Sequence, residues 1–212
     1  MQQVQQTKPF IIGSVLSAAT GLCLVIISLA IGKKELFLFF NTDLGNFGDH
    51  FFALWTNLGD GIVWVVVAVL FFIYRKKLFP LLIASVIIST LIVQLTKNFV
   101  FPGEARPTSA ITNNTGIHTV PGVELLTSFS FPSGHTTTAF TIFLLGCLLI
   151  KKNWVIPVGF ICALLVGYSR IYLAEHFPLD VGAGMLAAVI TVPLSIMIQN
   201  RWARNQPSKS SA

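Results

Sequence analysis

Charge is scarce in this chain of 212 residues, because only 10% of them are Asp, Glu, Lys or Arg, whereas 54% are hydrophobic. A typical soluble domain carries about 25% charged residues, so the composition excludes a soluble protein and indicates an integral membrane protein. Cysteine is scarce too. Cys23, Cys147 and Cys162 all lie in apolar runs, which excludes a disulfide framework and a cysteine-based metal site. The length allows one compact helical bundle without a second domain.

Basic patches interleaved with aromatic residues are missing as well, although the formal net charge is +6. Such patches are typical of proteins that bind nucleic acid, so we expect no nucleic-acid partner. The positive charge has a topological explanation instead, since basic residues collect at the cytoplasmic ends of membrane spans. No obligate protein partner is implied either.

Apolar runs long enough to cross a bilayer recur along the chain, and the first is longer than the core of a signal peptide. The sequence predicts six spans, at residues 9–31, 59–74, 78–101, 132–150, 154–173 and 179–198. Aromatic residues at helical spacing predict a short amphipathic helix in the membrane interface at residues 43–58. Residues 102–131 form an outer loop of a length that is usually functional. The expected fold is an all-α integral membrane protein, a six-transmembrane-helix bundle.

The charges divide unequally between the two sides of this layout. One side holds all eight acidic residues and all four histidines, together with Lys33, Lys34, Lys97, Arg106 and Arg170. The other side holds only basic residues: Lys8, Arg75, Lys76, Lys77, Lys151, Lys152, Arg201, Arg204 and Lys209. The positive-inside rule makes this second side cytoplasmic, together with both termini. We therefore expect a multi-pass protein of the bacterial inner membrane whose ionisable cluster faces the periplasm or the exterior.

Residues 169–180 place an arginine, a histidine and an aspartate within an oily sequence, where charged groups are costly and rarely accidental. His176 precedes Asp180 by four residues, so the carboxylate can orient the imidazole as a base or a nucleophile. Arg170 supplies a fixed fork of donors that suits phosphate oxygens. Pro178 is expected to open the sixth span, which places Asp180 in its first turn and leaves His176 mobile outside the helix. The segment predicts phosphoryl chemistry at a membrane surface.

A second cluster, residues 132–135, begins the fourth span. Pro132 is predicted at the first helical position, where its missing N–H is harmless. The amides of Ser133, Gly134 and His135 would then be free first-turn donors, and a helix start of this kind binds anions. Taken singly, such histidines and cations also fit interfacial residues and snorkelling anchors, but their joint arrangement on one face favours a site.

The sequences Pro132-Ser133-Gly134-His135 and Ser169-Arg170-x5-His176-x3-Asp180 resemble the second and third signature motifs of the type 2 phosphatidic acid phosphatase family. That family includes bacterial membrane lipid phosphatases, acid phosphatases and vanadium haloperoxidases. A lysine and an Arg-Pro pair lie upstream, as in the first motif. Here Lys97 and Arg106 are separated by eight residues, which is longer than the family's usual spacing. With the six-span layout, the resemblance covers nearly the whole chain.

The resemblance implies a role for each residue of a site at the outer membrane–water interface. His176 is the nucleophile that forms a phosphohistidine, Asp180 orients it, and His135 is the general acid, a contribution of about 10²–10⁴-fold. The phosphate oxygens are bound by Lys97, Arg106, Ser133, Gly134 and Arg170. No metal or other cofactor is implied, since the cationic side chains neutralise the phosphate. One histidine must be neutral and the other protonated, which predicts a bell-shaped pH profile.

The implied activity is that of a metal-independent phosphatase acting on a lipid phosphate monoester or diphosphate. The candidate substrates are phosphatidylglycerophosphate, phosphatidic acid, undecaprenyl diphosphate and lipid A, because the motif residues bind phosphate and do not read the lipid. Specificity is expected in residues 40–60 and 102–131. Two alternatives remain: a lipid phosphotransferase that shares the phosphohistidine, and a lipid phosphate carrier without catalysis. The carrier is disfavoured, because binding alone does not need a histidine paired with an aspartate.

Overall fold

The computed structural model describes residues 2–111 and 116–205, and within them it contains helices, turns and loops but no strand. The helices are α1 (Lys8–Ile31), α2 (Lys33–Phe40), α3 (Gly45–Trp55), α4 (Val63–Tyr74), α5 (Phe79–Leu95), α6 (Pro107–Ala110), α7 (Gly134–Ile150), α8 (Val155–Tyr172) and α9 (Pro178–Arg204). Two 3₁₀ turns, Thr56–Gly59 and Lys76–Leu78, precede α4 and α5, and a π-helical turn, Thr96–Val100, follows α5. The all-helical prediction is confirmed.

Four helical segments in the described part of the chain are long and apolar enough to cross a membrane: α1, Lys76–Val100, α8 and α9. A fifth candidate is the pair Gly45–Gly59 and Val63–Tyr74, which is bent by 51° at its break. Helix α7 is apolar but has only 17 residues. These helices make the chain a membrane protein, and the count of six spans stays a prediction.

Helices α7 and α9 form the centre of the bundle, since α9 packs against α1, α5 and α7, and α7 also packs against α8. Glycines let α9 approach its neighbours closely: a Cβ on Gly182 would lie 2.7 Å from the carbonyl oxygen of Gly21 on α1. A Cβ on Gly184 would lie equally close to the carbonyl oxygen of Ser133, just before α7. Outward apolar side chains such as Val15 and Val66 are more than half exposed, as expected for a surface that faces lipid.

Polar side chains join the two ends of the described chain at one end of the bundle. The side-chain amide of Gln199, near the end of α9, donates to the carbonyl oxygens of Gln2 and Lys77 at 2.8 and 3.2 Å. Gln199 is fully buried, so these bonds satisfy polar groups that would otherwise be costly inside the bundle. Lys209, part of the predicted cytoplasmic charge, lies outside the described residues.

Residues 43–58, predicted as an interfacial helix, fold into α3 and most of the 3₁₀ turn after it. One side of α3 packs against α8, where the centroid of the Phe52 ring lies 4.8 Å from that of Tyr172. The opposite side carries Phe47, which is 82% exposed. The exposed side of the segment therefore also carries an aromatic residue, and the amphipathic helix in the membrane interface stays a prediction. The three cysteines are free.

Candidate active site

His176 lies in the turn between α8 and α9, at the end of the bundle opposite Gln199. Its side chain is only 2% exposed, and its backbone N–H donates to the carbonyl oxygen of Arg170 at 3.0 Å. The prediction that His176 is mobile is wrong, because this bond and the surrounding packing fix the turn. The next residue, Phe177, is fully buried and adds to that packing. The ring is therefore held in place before a ligand arrives.

Asp180 lies beside this ring, in the first turn of α9. The helix begins at Pro178, as predicted, and Asp180 is its third residue. Its Oδ2 accepts a 2.9 Å hydrogen bond from the backbone N–H of Phe177 and lies 3.4 Å from His176 Nδ1. With Nδ1 facing the carboxylate, the other ring nitrogen, Nε2, is left for chemistry.

Ser130 is a member of the site that sequence reasoning missed. Its hydroxyl donates to Asp180 Oδ2 at 2.5 Å and lies 3.4 Å from His176 Nδ1. The serine is fully buried, so its hydroxyl is held against both the carboxylate and the imidazole. It lies in the loop before α7, where no periodicity or motif marks it.

The environment of His176 disfavours its protonated form. Burial, together with the charges of Arg106, Arg170 and Lys97, lowers the pKa of His176 well below its usual value of 6.5. His135 adds a smaller effect of the same sign. A neutral imidazole has a free lone pair, so the ring is prepared to act as a nucleophile at neutral pH.

The start of α7 differs from the prediction in two respects. The helix begins at Gly134, with Ser133 as its N-cap, so Pro132 lies before the helix and not at its first position. The Ser133 hydroxyl accepts from Thr136 N–H, and this cap sets the boundary. The Ser133 amide is also not free, because it donates to the carbonyl oxygen of Asp180 at 3.0 Å. Gly134 and His135 keep the first-turn amides that can bind an anion.

His135 stands one residue into α7 and faces a carboxylate from another part of the chain. Its side chain is 28% exposed, and Nε2 lies 3.8 Å from Oδ2 of Asp60. Sequence reasoning did not connect Asp60 with the site, since the two residues are far apart along the chain. His135 also borders a polar cleft of about 210 Å³ with Ser89, Gln94 and Thr138 in its lining.

Arg106 is buried and pinned by the loop and the turn around it. Its Nε donates to the carbonyl oxygen of Ser128 at 2.9 Å, and Nη1 donates to both the carbonyl oxygen and the carboxylate of Glu175. The Glu175 side chain is 4% exposed and also lies 3.4 Å from Nη2 of Arg170. One buried carboxylate thus sets the spacing of the two guanidinium groups. Glu175 was missed because only its position before His176 marks it.

Arg170, on the last turn of α8, has a buried donor from which no residue of the described chain accepts. Its Nη1 donates to the hydroxyl of Thr56 at 2.6 Å, whereas its buried Nε has no acceptor among the residues that the structure describes. A buried unsatisfied donor costs about 1–3 kcal/mol, and such a cost is explained where a ligand supplies the acceptor. An anionic oxygen fits this requirement.

Lys97 lies in the π-helical turn after α5. The charges of Arg106, Asp180, Arg170 and Glu175 act on Lys97, so this lysine lies near the site. Between Lys97 and Arg106 the chain completes this π-turn and then makes a tight turn in which Gly103 has a φ of +74°. Arg106 therefore lies in the site and Lys97 lies near it, despite the departure from the motif.

One grouping of metal-ligand type is present in the described residues, and it does not include the residues above. Asp43, Asp49 and His118 bring their donor atoms within 4.8 Å of one another. Asp49 already accepts hydrogen bonds from Tyr172, at 2.6 Å, and from His118, at 3.0 Å. The set is best described as a hydrogen-bonded cluster that holds the outer loop against α3 and α8.

Two histidines, two arginines, a lysine and an aspartate thus meet at one end of the bundle. An imidazole oriented by a carboxylate can attack phosphorus, and the surrounding donors can stabilise the charge on phosphoryl oxygens. The second imidazole, on α7, is placed to exchange a proton with a reacting group. This combination is suited to phosphoryl transfer.

Comparison with known proteins agrees with this chemistry. The undecaprenyl-diphosphatase of Sulfolobus acidocaldarius is 30% identical, over 68% of this chain and 68% of its own. The crystal structure of Aquifex aeolicus LpxE matches with a TM-score of 0.64 at 34% identity, covering 77% of this chain and 93% of that one.

A transmembrane PAP2-type phosphatidylglycerolphosphate phosphatase from Bacillus subtilis shares the fold, with a TM-score of 0.61 at 21% identity, over 92% of this chain and 98% of that one. The family model described as the PAP2 superfamily matches residues 78–204, which include both motifs. The resemblance carried by the motifs is therefore confirmed, and the chain is a phosphatase that belongs to the PAP2 superfamily.

Proposed function

We propose that this protein removes the terminal phosphate from a lipid phosphate or diphosphate through a phosphohistidine on His176. The observation that carries the proposal is the buried pair of His176 and Asp180, with Nδ1 3.4 Å from Oδ2. A buried Arg170 Nε without a protein acceptor in the described chain lies in the same site. A carrier needs cations for binding but not an imidazole oriented by a carboxylate, so the pair favours catalysis.

In the first half-reaction, Nε2 of His176 attacks phosphorus while its Nδ1–H bonds to Asp180. The Nε2–P bond forms as the bond from phosphorus to the leaving oxygen breaks, and His135 gives that oxygen a proton. Arg106 and Arg170 bind the phosphoryl oxygens as their charge increases. The products are the dephosphorylated lipid and phosphohistidine.

In the second half-reaction, water releases the phosphate. His135, now neutral, takes a proton from water as the water oxygen attacks phosphorus. The P–Nε2 bond breaks, its electron pair returns to the imidazole of His176, and inorganic phosphate leaves. One imidazole therefore acts first as acid and then as base, which restores the starting state.

The substrate is an amphiphile whose phosphate reaches the end of the bundle. The Sulfolobus relative is named for undecaprenyl diphosphate and the Bacillus neighbour for phosphatidylglycerolphosphate, so polyprenyl and glycerolipid phosphates head the candidates. Phosphatidic acid and lipid A complete the set. The arginines and histidines of the site bind the phosphate. We expect the outer loop at residues 102–131 to contact the rest of the lipid and to determine specificity.

The reactive end is proposed to face the periplasm or the exterior of a bacterial inner membrane. All the acidic residues belong to this side of the predicted layout, whereas the opposite end of the bundle carries Lys77, Arg201 and Arg204. Basic residues mark the cytoplasmic side of a membrane protein, which supports this orientation with both termini inside.

Acidic conditions are expected to reduce activity only well below pH 6.5. The nucleophile must be neutral, and the pKa of His176 is lowered, so protonation occurs only as the pH falls through that lower value. Stability falls in the same direction, because the unfolded histidine takes up a proton near pH 6.5 and the folded one does not. A pH series of kcat/KM locates this limb, and a limb at or above 6.5 contradicts the proposal.

Phosphate release by the purified protein in detergent micelles tests the function. We expect inorganic phosphate from at least one of the four candidate lipids without an added acceptor. A phosphotransferase would need a second lipid before the phosphorylated substrate disappeared, and a carrier would bind the lipid without releasing phosphate. Either result would contradict hydrolysis.

A further inference from the structure

The break between α3 and α4, residues 56–60, contacts two residues of the active site although neither motif includes it. Thr56 accepts the 2.6 Å hydrogen bond from Nη1 of Arg170. Gly59 packs against His135, since a Cβ there would lie 2.8 Å from the carbonyl oxygen of His135 and 2.9 Å from its Cβ. The break therefore has a fixed position relative to both side chains.

Asp60 ends this break and directs one carboxylate oxygen toward His135. Its Oδ2 lies 3.8 Å from His135 Nε2, and its side chain is 49% exposed. Its Oδ1 accepts a 2.8 Å hydrogen bond from the backbone N–H of Ile62, which closes the turn before α4. One oxygen thus holds the backbone while the other faces the imidazole.

The charges around His135 make this carboxylate distinctive. The charged groups that act on His135 are Asp60 at the break, Arg170 on α8, Arg106 in the outer loop and Lys97 in the π-helical turn, and His176 faces it from the turn before α9. Of these groups only Asp60 is negative. The three cations oppose a positive imidazole, and Asp60 favours it.

We propose that Asp60 is a positioning residue that favours the protonated form of His135 and orients it as the proton donor. The inference rests on the proposed function, since it gives a partner to the acid of that reaction. A general acid must carry its proton when substrate arrives, in a site whose cations are needed for phosphate. Asp60 supplies a balancing negative charge, because its carboxylate faces His135, and its charge acts on Arg170 more weakly than that of Glu175 does. The two histidines then each have an aspartate: Asp180 for the nucleophile and Asp60 for the acid.

Asp60→Asn isolates the charge, because asparagine keeps an oxygen that accepts from the Ile62 N–H. We expect the basic limb of the kcat profile to move by about one pH unit to lower pH, and the rate on that limb to fall about tenfold. The limb moves down because a less stabilised imidazolium loses its proton at lower pH. Asp60→Glu should keep the wild-type limb. Glu35→Gln, which removes an exposed outer carboxylate on α2, should change neither limb.

A second readout does not depend on turnover. In histidine-labelled protein, the ring signals of His135 can be identified by their loss in His135→Gln, and their titration reports protonation directly. We expect the midpoint to be lower in Asp60→Asn than in the wild type. If asparagine prevents folding, Asp60→Ser provides the same comparison, because its hydroxyl can also accept from the Ile62 N–H.

The outcomes separate the two proposals. An active Asp60→Asn enzyme with an unchanged basic limb, or an unchanged His135 midpoint, overturns the role of Asp60 and leaves hydrolysis intact. A wild-type protein that releases no phosphate overturns the proposed function, and the titration of His135 then still decides whether Asp60 holds its proton.

Discussion

Replacing His176 by alanine is expected to lower phosphate release by about 10⁴-fold or more, because the phosphoryl group loses its acceptor. The remaining cations still bind the substrate, so KM should change far less than kcat. Both values follow from phosphate release over a substrate series in micelles. A variant that retains more than about one part in a hundred of the wild-type rate would contradict a covalent intermediate on this ring.

The loss must be separated from unfolding, since the ring is buried. The thermal unfolding midpoint of His176→Ala in the same detergent provides that check. His50→Ala serves as a matched control, because His50 is an exposed histidine bonded to the carbonyl oxygen of Asn46 in its own helix. Rapid quenching with a substrate labelled on phosphorus should leave acid-labile label on the wild type. No label should remain on His176→Ala.

Replacing Arg106 by methionine is expected to reduce both activity and stability. Activity should fall by about 10²–10³-fold, because one set of donors to the phosphoryl oxygens is lost. Stability should fall by about 2–3 kcal/mol, since the buried carboxylate of Glu175 loses its nearer partner and keeps only Arg170, at 3.4 Å. Phosphate release and thermal unfolding of the same preparation measure the two effects.

A double variant divides the two effects of this substitution. Adding Glu175→Gln to Arg106→Met removes the uncompensated charge, so much of the lost stability should return while activity stays low. Lys33→Met is the matched control, because Lys33 pairs with Glu104 at the same end of the bundle but both side chains are about one-third exposed. Its effect should be below about 1 kcal/mol. Activity that recovers in the double variant would contradict a direct role of Arg106 in binding phosphate.

The two motifs predict His176, Asp180, His135 and Arg170 as site residues because each motif covers at least one helix end and the turn beside it. Within such a short stretch, spacing alone determines which side chains lie together. The same local logic predicted that α9 begins at Pro178, since proline suits a first helical position.

The partners of these residues could not be predicted, because they come from distant segments without periodicity. Ser130, Glu175 and Asp60 are single polar residues, and only the folded bundle shows that they contact residues of the site. The Ser133 amide was misassigned for a related reason: its acceptor, the carbonyl oxygen of Asp180, belongs to a helix that follows some 45 residues later. Sequence reasoning predicted that the first-turn amides were all free, whereas in the fold the Ser133 amide already donates to a backbone carbonyl.

Predicted and observed helix bounds differ where an apolar run is not helical along its whole length. Residues 59–74 were predicted to form one span. The helix covers only Val63–Tyr74, and its axis is bent by 51° from the preceding segment, Gly45–Gly59. The bend arises at a 3₁₀ turn that ends in Gly59, which is pressed against His135. Helix α4 therefore begins four residues later than the predicted span, because the chain still turns where Gly59 packs against His135.

The bond from Ser133 N–H to the carbonyl oxygen of Asp180 sets α7 and α9 at the same level, and this has a consequence for the surrounding lipid. At 1.5 Å per residue, the 17 residues of α7 extend only about 26 Å, whereas the hydrocarbon of a bilayer is about 30 Å thick. Helix α7 is largely buried at the centre of the bundle, so lipid contacts the longer helices around it, such as α1, whose 24 residues extend about 36 Å. The outer helices can therefore span the full hydrocarbon layer although the central helix is shorter than that layer.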